Sequence, residues 1–184
     1  MDFDSEFGPA GAPNPGVRER VSPEEGLALL LDDAESQHIE ATQRAVGRAS
    51  RITDAIELAA ANPWIYAGVA RDAVAISERA AVFEIAARLH LPEPQVRGMV
   101  SVVRIARADL PALWAVACKG FAAFAYVEGA VAAIVALRPA PGADQATTAA
   151  SADAIATFDA KVAEVASALS LTAFRARVRR LVEQ

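Results

Sequence analysis

Cysteine, histidine and aromatic residues are scarce in this chain of 184 residues, which has one cysteine, two histidines and 6% aromatics. A single cysteine, Cys118, excludes both a disulfide framework and a four-thiolate metal site. The two histidines, His38 and His90, lie far apart and have no ligand-like spacing with Cys118. We therefore expect no metal ion and no cofactor.

Motifs for phosphate binding, secretion and membrane insertion are also missing. No glycine cluster follows a strand pattern, and no Gly-Lys-Ser/Thr sequence is present, which excludes a nucleotide-binding loop of that kind. The acidic N-terminus has neither a cationic flank nor an apolar run, so it is not a secretory signal. The longest apolar stretch, residues 120–137, contains Glu128 and suits a buried helix better than a membrane span. We expect a cytoplasmic protein with no membrane partner and, in this chain, no catalytic residue.

Alanine dominates what is present, with 45 residues, nearly a quarter of the chain. Alanine loses no side-chain entropy in a helix, whereas a sheet-rich fold would need β-branched and aromatic residues. No segment shows the alternation of apolar and polar residues that is typical of a strand. The composition predicts an all-α, multi-helix bundle.

Proline and glycine divide the chain into segments. Residues 1–21 are rich in both, which predicts a disordered N-terminal tail. Residues 22–184 are predicted to form a single all-helical domain. It would comprise a long N-terminal helix over 23–61, opened by Ser22-Pro23-Glu24-Glu25, a helix-turn-helix-like core over 72–137 and C-terminal helices over 144–183. Within the core, Asp109-Leu110-Pro111 predicts a cap followed by a new helix, which would end at Gly120.

Residues 81–107 have the pattern of a helix-turn-helix element. Such an element needs apolar anchors on both helices, a small residue where they cross and a short turn. Ala86 is the candidate crossing residue, while Pro92 and Pro94 would stiffen the turn. His90 occupies the position that usually holds glycine, because that position favours a positive φ.

Charge is unevenly distributed along the chain. The first 37 residues have nine acids against two arginines, whereas residues 78–120 have six bases and four acids, and residues 171–184 have four arginines against one acid. The two basic regions are candidates for DNA contact. On the second helix of the motif, glutamine and arginine could contact base edges, and other arginines could contact phosphate. The candidate DNA-binding residues are Gln95, Arg97, Ser101, Arg104, Arg107, Arg175, Arg177, Arg179 and Arg180.

Simpler interpretations of both regions stay open. Any two short helices joined by a tight turn give the central pattern, and Glu93 at the start of the second helix would repel phosphate. The arginines near the C-terminus could instead complement the dipole of their own helix.

Three segments carry a resemblance to a known family: Ala81–Leu89 with Gln95-Val96-Arg97, then Leu110–Trp114 with Gly120-Phe121, then Phe158-Asp159-Ala160 with Arg175–Leu181. Together they resemble the helical N-terminal domain of unknown function that precedes HNH endonuclease domains in actinobacterial proteins, the thirteen-E-twelve repeat family. The likeness covers about residues 40–184, and the central segment also resembles the helix-turn-helix of ParB-type partition proteins. The resemblance implies a parent protein with a nuclease domain downstream of this chain, which itself lacks the histidine-rich ββα nuclease motif.

Two functions follow as hypotheses. The first is a non-catalytic, DNA-associated helical domain of an HNH-endonuclease-like protein, which binds duplex DNA mainly through arginine–phosphate contacts. The second is a protein–protein interaction or homodimerisation helical module without nucleic-acid binding, in which the long N-terminal helix pairs with a copy of itself.

Overall fold

The structure is a computed structural model that describes residues 22–139 and 142–183, so the tail predicted over 1–21 lies outside the described residues. Over the described residues it has seven α-helices and no strand, which confirms the all-α, multi-helix bundle. Single turns of 3-10 helix follow α1 and α5, at Pro63–Ile65 and Val135–Leu137. The helices are α1 (Pro23–Ala61), α2 (Ala73–Leu89), α3 (Glu93–Asp109), α4 (Pro111–Cys118), α5 (Phe124–Ile134), α6 (Gln145–Ala166) and α7 (Leu171–Val182).

Clustering of contacts divides the chain into two compact units, Met1–Ala34 and Glu35–Gln184. The start of α1 has the predicted hydroxyl cap. The Ser22 hydroxyl accepts a hydrogen bond from the Glu25 backbone N–H at 3.1 Å, and the Glu25 carboxylate accepts one from the Ser22 N–H at 2.9 Å. This reciprocal pair is a capping box, which satisfies two backbone donors at once.

Two clusters of buried side chains form the core of the larger unit. One joins the second half of α1 to α2 and α3, through residues such as Ile52, Ile56 and Val96. The other joins the end of α3 to α4, α5, α6 and α7, and it includes the fully buried Phe174. Trp114 and Phe124 pack against both clusters, so these two aromatic side chains lie where the clusters meet.

A carboxylate from α6 caps the N-terminus of α4. Asp159 is 3% exposed, and its two oxygens accept hydrogen bonds from the backbone N–H groups of Ala112 at 2.7 Å and Leu113 at 2.9 Å. The residue before α4, Leu110, has no side chain that can cap. The prediction that Asp109-Leu110-Pro111 supplies its own cap is therefore wrong. Asp109 ends α3 and pairs with Arg138 instead. Asp159 supplies both acceptors and a negative charge at the positive end of the helix dipole.

The other end of α4 packs closely against α1. Gly120 has φ +85°, and a Cβ built there would lie 2.6 Å from the backbone oxygen of Ile39. The Gln43 side chain donates to the Lys119 carbonyl at 3.0 Å beside it. The predicted end of this helix at Gly120 thus fits both the backbone conformation and the close approach.

We expect Asp159→Ala to lower the free energy of unfolding by roughly 2–4 kcal/mol, because two backbone donors at the start of α4, one buried and one partly buried, lose their acceptor. Urea denaturation followed by circular dichroism measures this change. The matched control is Asp153→Ala, which removes an exposed carboxylate from the same helix and should change stability by less than about 0.5 kcal/mol. Equal effects of the two substitutions would contradict the capping role.

Candidate nucleic-acid interface

Helices α2 and α3 are joined by the three residues 90–92, as the motif predicts. The Leu91 N–H donates to the Ala86 carbonyl at 2.9 Å and the His90 N–H donates to the Ala87 carbonyl at 3.4 Å, the two bonds of a Schellman motif. His90 has φ 53° and ψ 41°, so it does adopt the left-handed conformation that usually requires glycine. The buried Ala86 lies one turn before this point.

Replacement of His90 by glycine should stabilise the protein. A side chain in the left-handed conformation is strained by roughly 1 kcal/mol, which the greater freedom of glycine in the unfolded chain partly offsets. We expect His90→Gly to raise the free energy of unfolding by about 0.5 kcal/mol in chemical denaturation. His90→Ala is the control, since alanine keeps the strain, and a greater stability for alanine than for glycine would contradict this account.

The first turns of α3 place the predicted DNA-contacting residues at the surface. Gln95, Arg97 and Ser101 are all exposed. Arg97 forms an ion pair with Glu93, one turn earlier on the same helix. The charge that Arg97 would offer to a phosphate is thereby offset locally, as the glutamate at the start of the helix suggested.

Arg104 bridges to both neighbouring helices. Its guanidinium donates to Glu57 on α1 at 3.2 Å and to Glu78 on α2 at 2.9 Å. The hydrogen bond with Glu78 is the main cause that raises the pKa of Arg104. The side chain of Arg104 is 41% exposed, but its positive charge is already paired with two carboxylates.

Arg107 is held in the same way one turn later. It donates to Asp54 at 2.7 Å and to the Ser50 hydroxyl at 2.6 Å, both on α1. Its guanidinium carbon also lies 5.9 Å from the centre of the Trp114 ring, within the range of a cation–π contact. Arg104 and Arg107 therefore join helices within the protein, and neither offers an unneutralised charge to DNA.

The arginines of α7 differ from those of α3. Arg175, Arg179 and Arg180 are exposed and Arg177 is half-buried. None of the four forms an ion pair with a residue in 22–139 or 142–183, although Arg180 donates to the backbone carbonyl of Ala176 at 3.3 Å. The buried Phe174 and Val178 fix α7 against the core. Among the candidate DNA-binding residues, this group retains the most available charge.

The partners of the α3 arginines were not identified from the sequence. Asp54 and Glu57 are three residues apart on α1, and Arg104 and Arg107 are three residues apart on α3. Matching i, i+3 pairs of opposite charge on two amphipathic helices are a usable signal for a bridge between them. A second overlooked group, Arg44, Arg48 and Arg51 on α1, follows the i, i+4, i+7 spacing of a single helix face.

Metal and cysteine chemistry find little support in the part of the chain that the structure describes. Within it, no group of three or more histidine, cysteine or acidic side chains could hold a metal ion. Cys118 is exposed at the end of α4, and desolvation by the surrounding protein raises the pKa of its thiol. A raised pKa leaves less thiolate, so Cys118 has no feature of an activated nucleophile. None of the described helices has the length and apolar character needed to cross a membrane.

The chain matches no family model, no curated protein and no solved structure. The resemblance to the thirteen-E-twelve repeat family therefore stays a prediction from the sequence.

We expect Arg107→Ala to lower the free energy of unfolding by about 1–2 kcal/mol, because it removes two hydrogen bonds that link α3 to α1. Arg97→Ala is the matched control, since its exposed pair within α3 contributes only about 0.3–0.5 kcal/mol. Urea denaturation of both variants measures the difference. If Arg107→Ala were as mild as Arg97→Ala, the role of Arg107 as a bridge would be wrong.

Proposed function

We propose that this protein is a non-catalytic helical domain that associates with duplex DNA through arginine–phosphate contacts, in the manner expected of the helical part of an HNH-endonuclease-like protein. The observation that carries the proposal is the difference between its two basic regions. The arginines of α7 are free of ion pairs with described residues, whereas Arg104 and Arg107 of α3 are bound by carboxylates.

Four arginines on one short helix suit contact with a phosphate backbone. Guanidinium groups donate several hydrogen bonds in a planar array and pair with phosphate oxygens in a bidentate manner. Arg175 and Arg179 lie one turn apart, on the same side of α7. Such contacts would position a duplex without reading its sequence.

Helix α3 would then contribute at most two polar contacts to bases. Gln95 and Ser101 are exposed polar side chains, and glutamine is chemically suited to the edge of adenine. Because Arg97 is paired with Glu93, the proposal assigns phosphate binding to α7 and not to the helix that follows the turn.

A second candidate function, a homodimerisation module, is favoured by a different observation. Leu27, Leu30 and Leu31, which share one face in the first turns of α1, are 59% to 69% exposed. A contiguous apolar surface of this kind is typical of protein–protein contact. This second candidate is the alternative without nucleic-acid binding, and it uses α1 instead of α7.

Binding of a labelled duplex across a range of salt concentrations tests DNA association. Each phosphate contact adds about 0.9 to the slope of log affinity against log salt, so replacing Arg175, Arg179 and Arg180 by alanine should lower that slope by about 2–3. Fluorescence anisotropy measures the affinity, and the helical signal in circular dichroism checks that α7 remains folded.

The matched control is Arg97→Ala on α3, which leaves the bridges of Arg104 to α1 and α2 intact. We expect it to retain the salt slope of the unmodified protein. An unmodified protein that binds no duplex at low salt would overturn the proposed function. A loss of slope in the α3 variant alone would return the phosphate contacts to the helix-turn-helix.

A further inference from the structure

A groove of about 520 Å³ lies between the second half of α1 and the end of α2. Its apolar lining includes Ile52, Ile85 and Leu89. Arginines line the same groove, three from α1 at positions 44, 48 and 51 and one from α2 at position 88. An apolar surface bordered by four cations fits an apolar body that carries acidic groups at its edges.

The arginines of the groove are unequally neutralised. Arg44 pairs with Glu40 and Arg88 pairs with Glu84, each one turn earlier on its own helix. Arg48 and Arg51 form no ion pair with any residue in the described ranges. An acidic group on a ligand would therefore form its most favourable ion pairs with Arg48 and Arg51.

Gly47 opens space in the same groove. A glycine inside a helix costs about 0.5–1 kcal/mol relative to alanine, so packing usually explains its presence. A Cβ at this position would meet no other atom of the protein within 4 Å. The space above Gly47 thus allows a bound segment to lie close to the backbone of α1.

The first turns of α1 have the complementary chemistry. Leu27, Leu30 and Leu31 recur at i, i+3 and i+4, the spacing of a helix that inserts its apolar side into a groove. Five acids and no base accompany them over residues 24–35: Glu24, Glu25, Asp32, Asp33 and Glu35. This stretch is a leucine-rich acidic helix, and the groove is an apolar surface bordered by arginines.

We propose that the partner of this groove is a second copy of the chain, whose acidic leucine-rich helix start occupies it. In a symmetric pair the exchange is reciprocal, so each copy supplies one helix start and one groove. Apolar burial of the leucines provides the affinity, and the charges fix orientation and partner. Duplex DNA would match the arginines but would leave the apolar lining without a partner. This pairing rests on the second candidate function, homodimerisation, whose contact surface it specifies, and it does not depend on DNA association.

Reversal of charge on each side separately tests the pairing. One variant combines Arg48→Glu with Arg51→Glu in the groove, and the other combines Asp32→Arg with Glu35→Arg in the helix start. All four positions are exposed, so both variants should keep the fold, which circular dichroism checks. Sedimentation equilibrium of the full chain, without DNA, gives the dimer dissociation constant.

The unmodified chain should form dimers, and each variant alone should dissociate about tenfold more readily or worse, because like charges then face each other at both grooves. An equimolar mixture of the two variants should recover the original dissociation constant. In the mixed pair the acidic helix start faces the arginine groove, and the arginine-bearing helix start faces the glutamate groove. Only a contact between two copies predicts this recovery.

Three results would overturn the proposal: an unmodified chain that stays monomeric up to about 100 μM, variants that dimerise unchanged, or a mixture no tighter than its components. Arg175→Glu combined with Arg179→Glu is the matched control for net charge, and it should leave the dimer intact. If the groove variant keeps the dimer but loses the salt slope of duplex binding, the groove contacts DNA instead. Because α7 carries the proposed DNA contacts, failure of one proposal leaves the other standing.

Discussion

The junction between α4 and α6 depends on two hydrogen bonds, which the backbone N–H groups at the start of α4 donate to the buried carboxylate of Asp159. An ionised group inside a protein costs several kcal/mol unless it is fully hydrogen-bonded, and here the N-terminus of α4 supplies the donors. Helix α4 has eight residues and no capping side chain of its own, so the carboxylate and the helix end satisfy each other. The segments Leu110–Trp114 and Phe158-Asp159-Ala160 meet at this point and join α4 to α6.

The second constraint is the use of arginine to connect helices. Alanine-rich helices pack closely but offer little side-chain area per residue, so long side chains at the edges of the contact add area and hydrogen bonds. Arg104 links α3 to α1 and α2, and Arg107 links it again to α1. The positive charge of such an arginine is neutralised by carboxylates of its own chain. The consequence for function is that net charge in a segment overstates the charge that a ligand would encounter.

The helices were predictable because local signals decide where they begin and end. The start of α1 follows from Ser22-Pro23-Glu24-Glu25, and the start of α7 follows from Ser170, whose hydroxyl accepts from the Ala173 N–H at 3.4 Å. The left-handed conformation of His90 was likewise expected from the motif alone. The cap of α4 was not, since Asp159 is 46 residues from Leu113 and only the folded chain brings them together. The neutralisation of Arg104 and Arg107 has the same origin, because their partners lie on other helices.

Helix α1, with 39 residues, has a cluster of acids near its start and a cluster of arginines in its second half. Its buried residues begin at Thr42, while the leucines of its first turns remain exposed. Helical stretches gain most of their stability from packing of an apolar face, and among the described residues of one copy nothing buries these leucines. Arg48 and Arg51 on the same helix have no acidic partner among the described residues. Reciprocal pairing of two copies would bury the leucines and neutralise these arginines at once. Charge and apolar exposure together therefore favour self-association more strongly than either feature does alone.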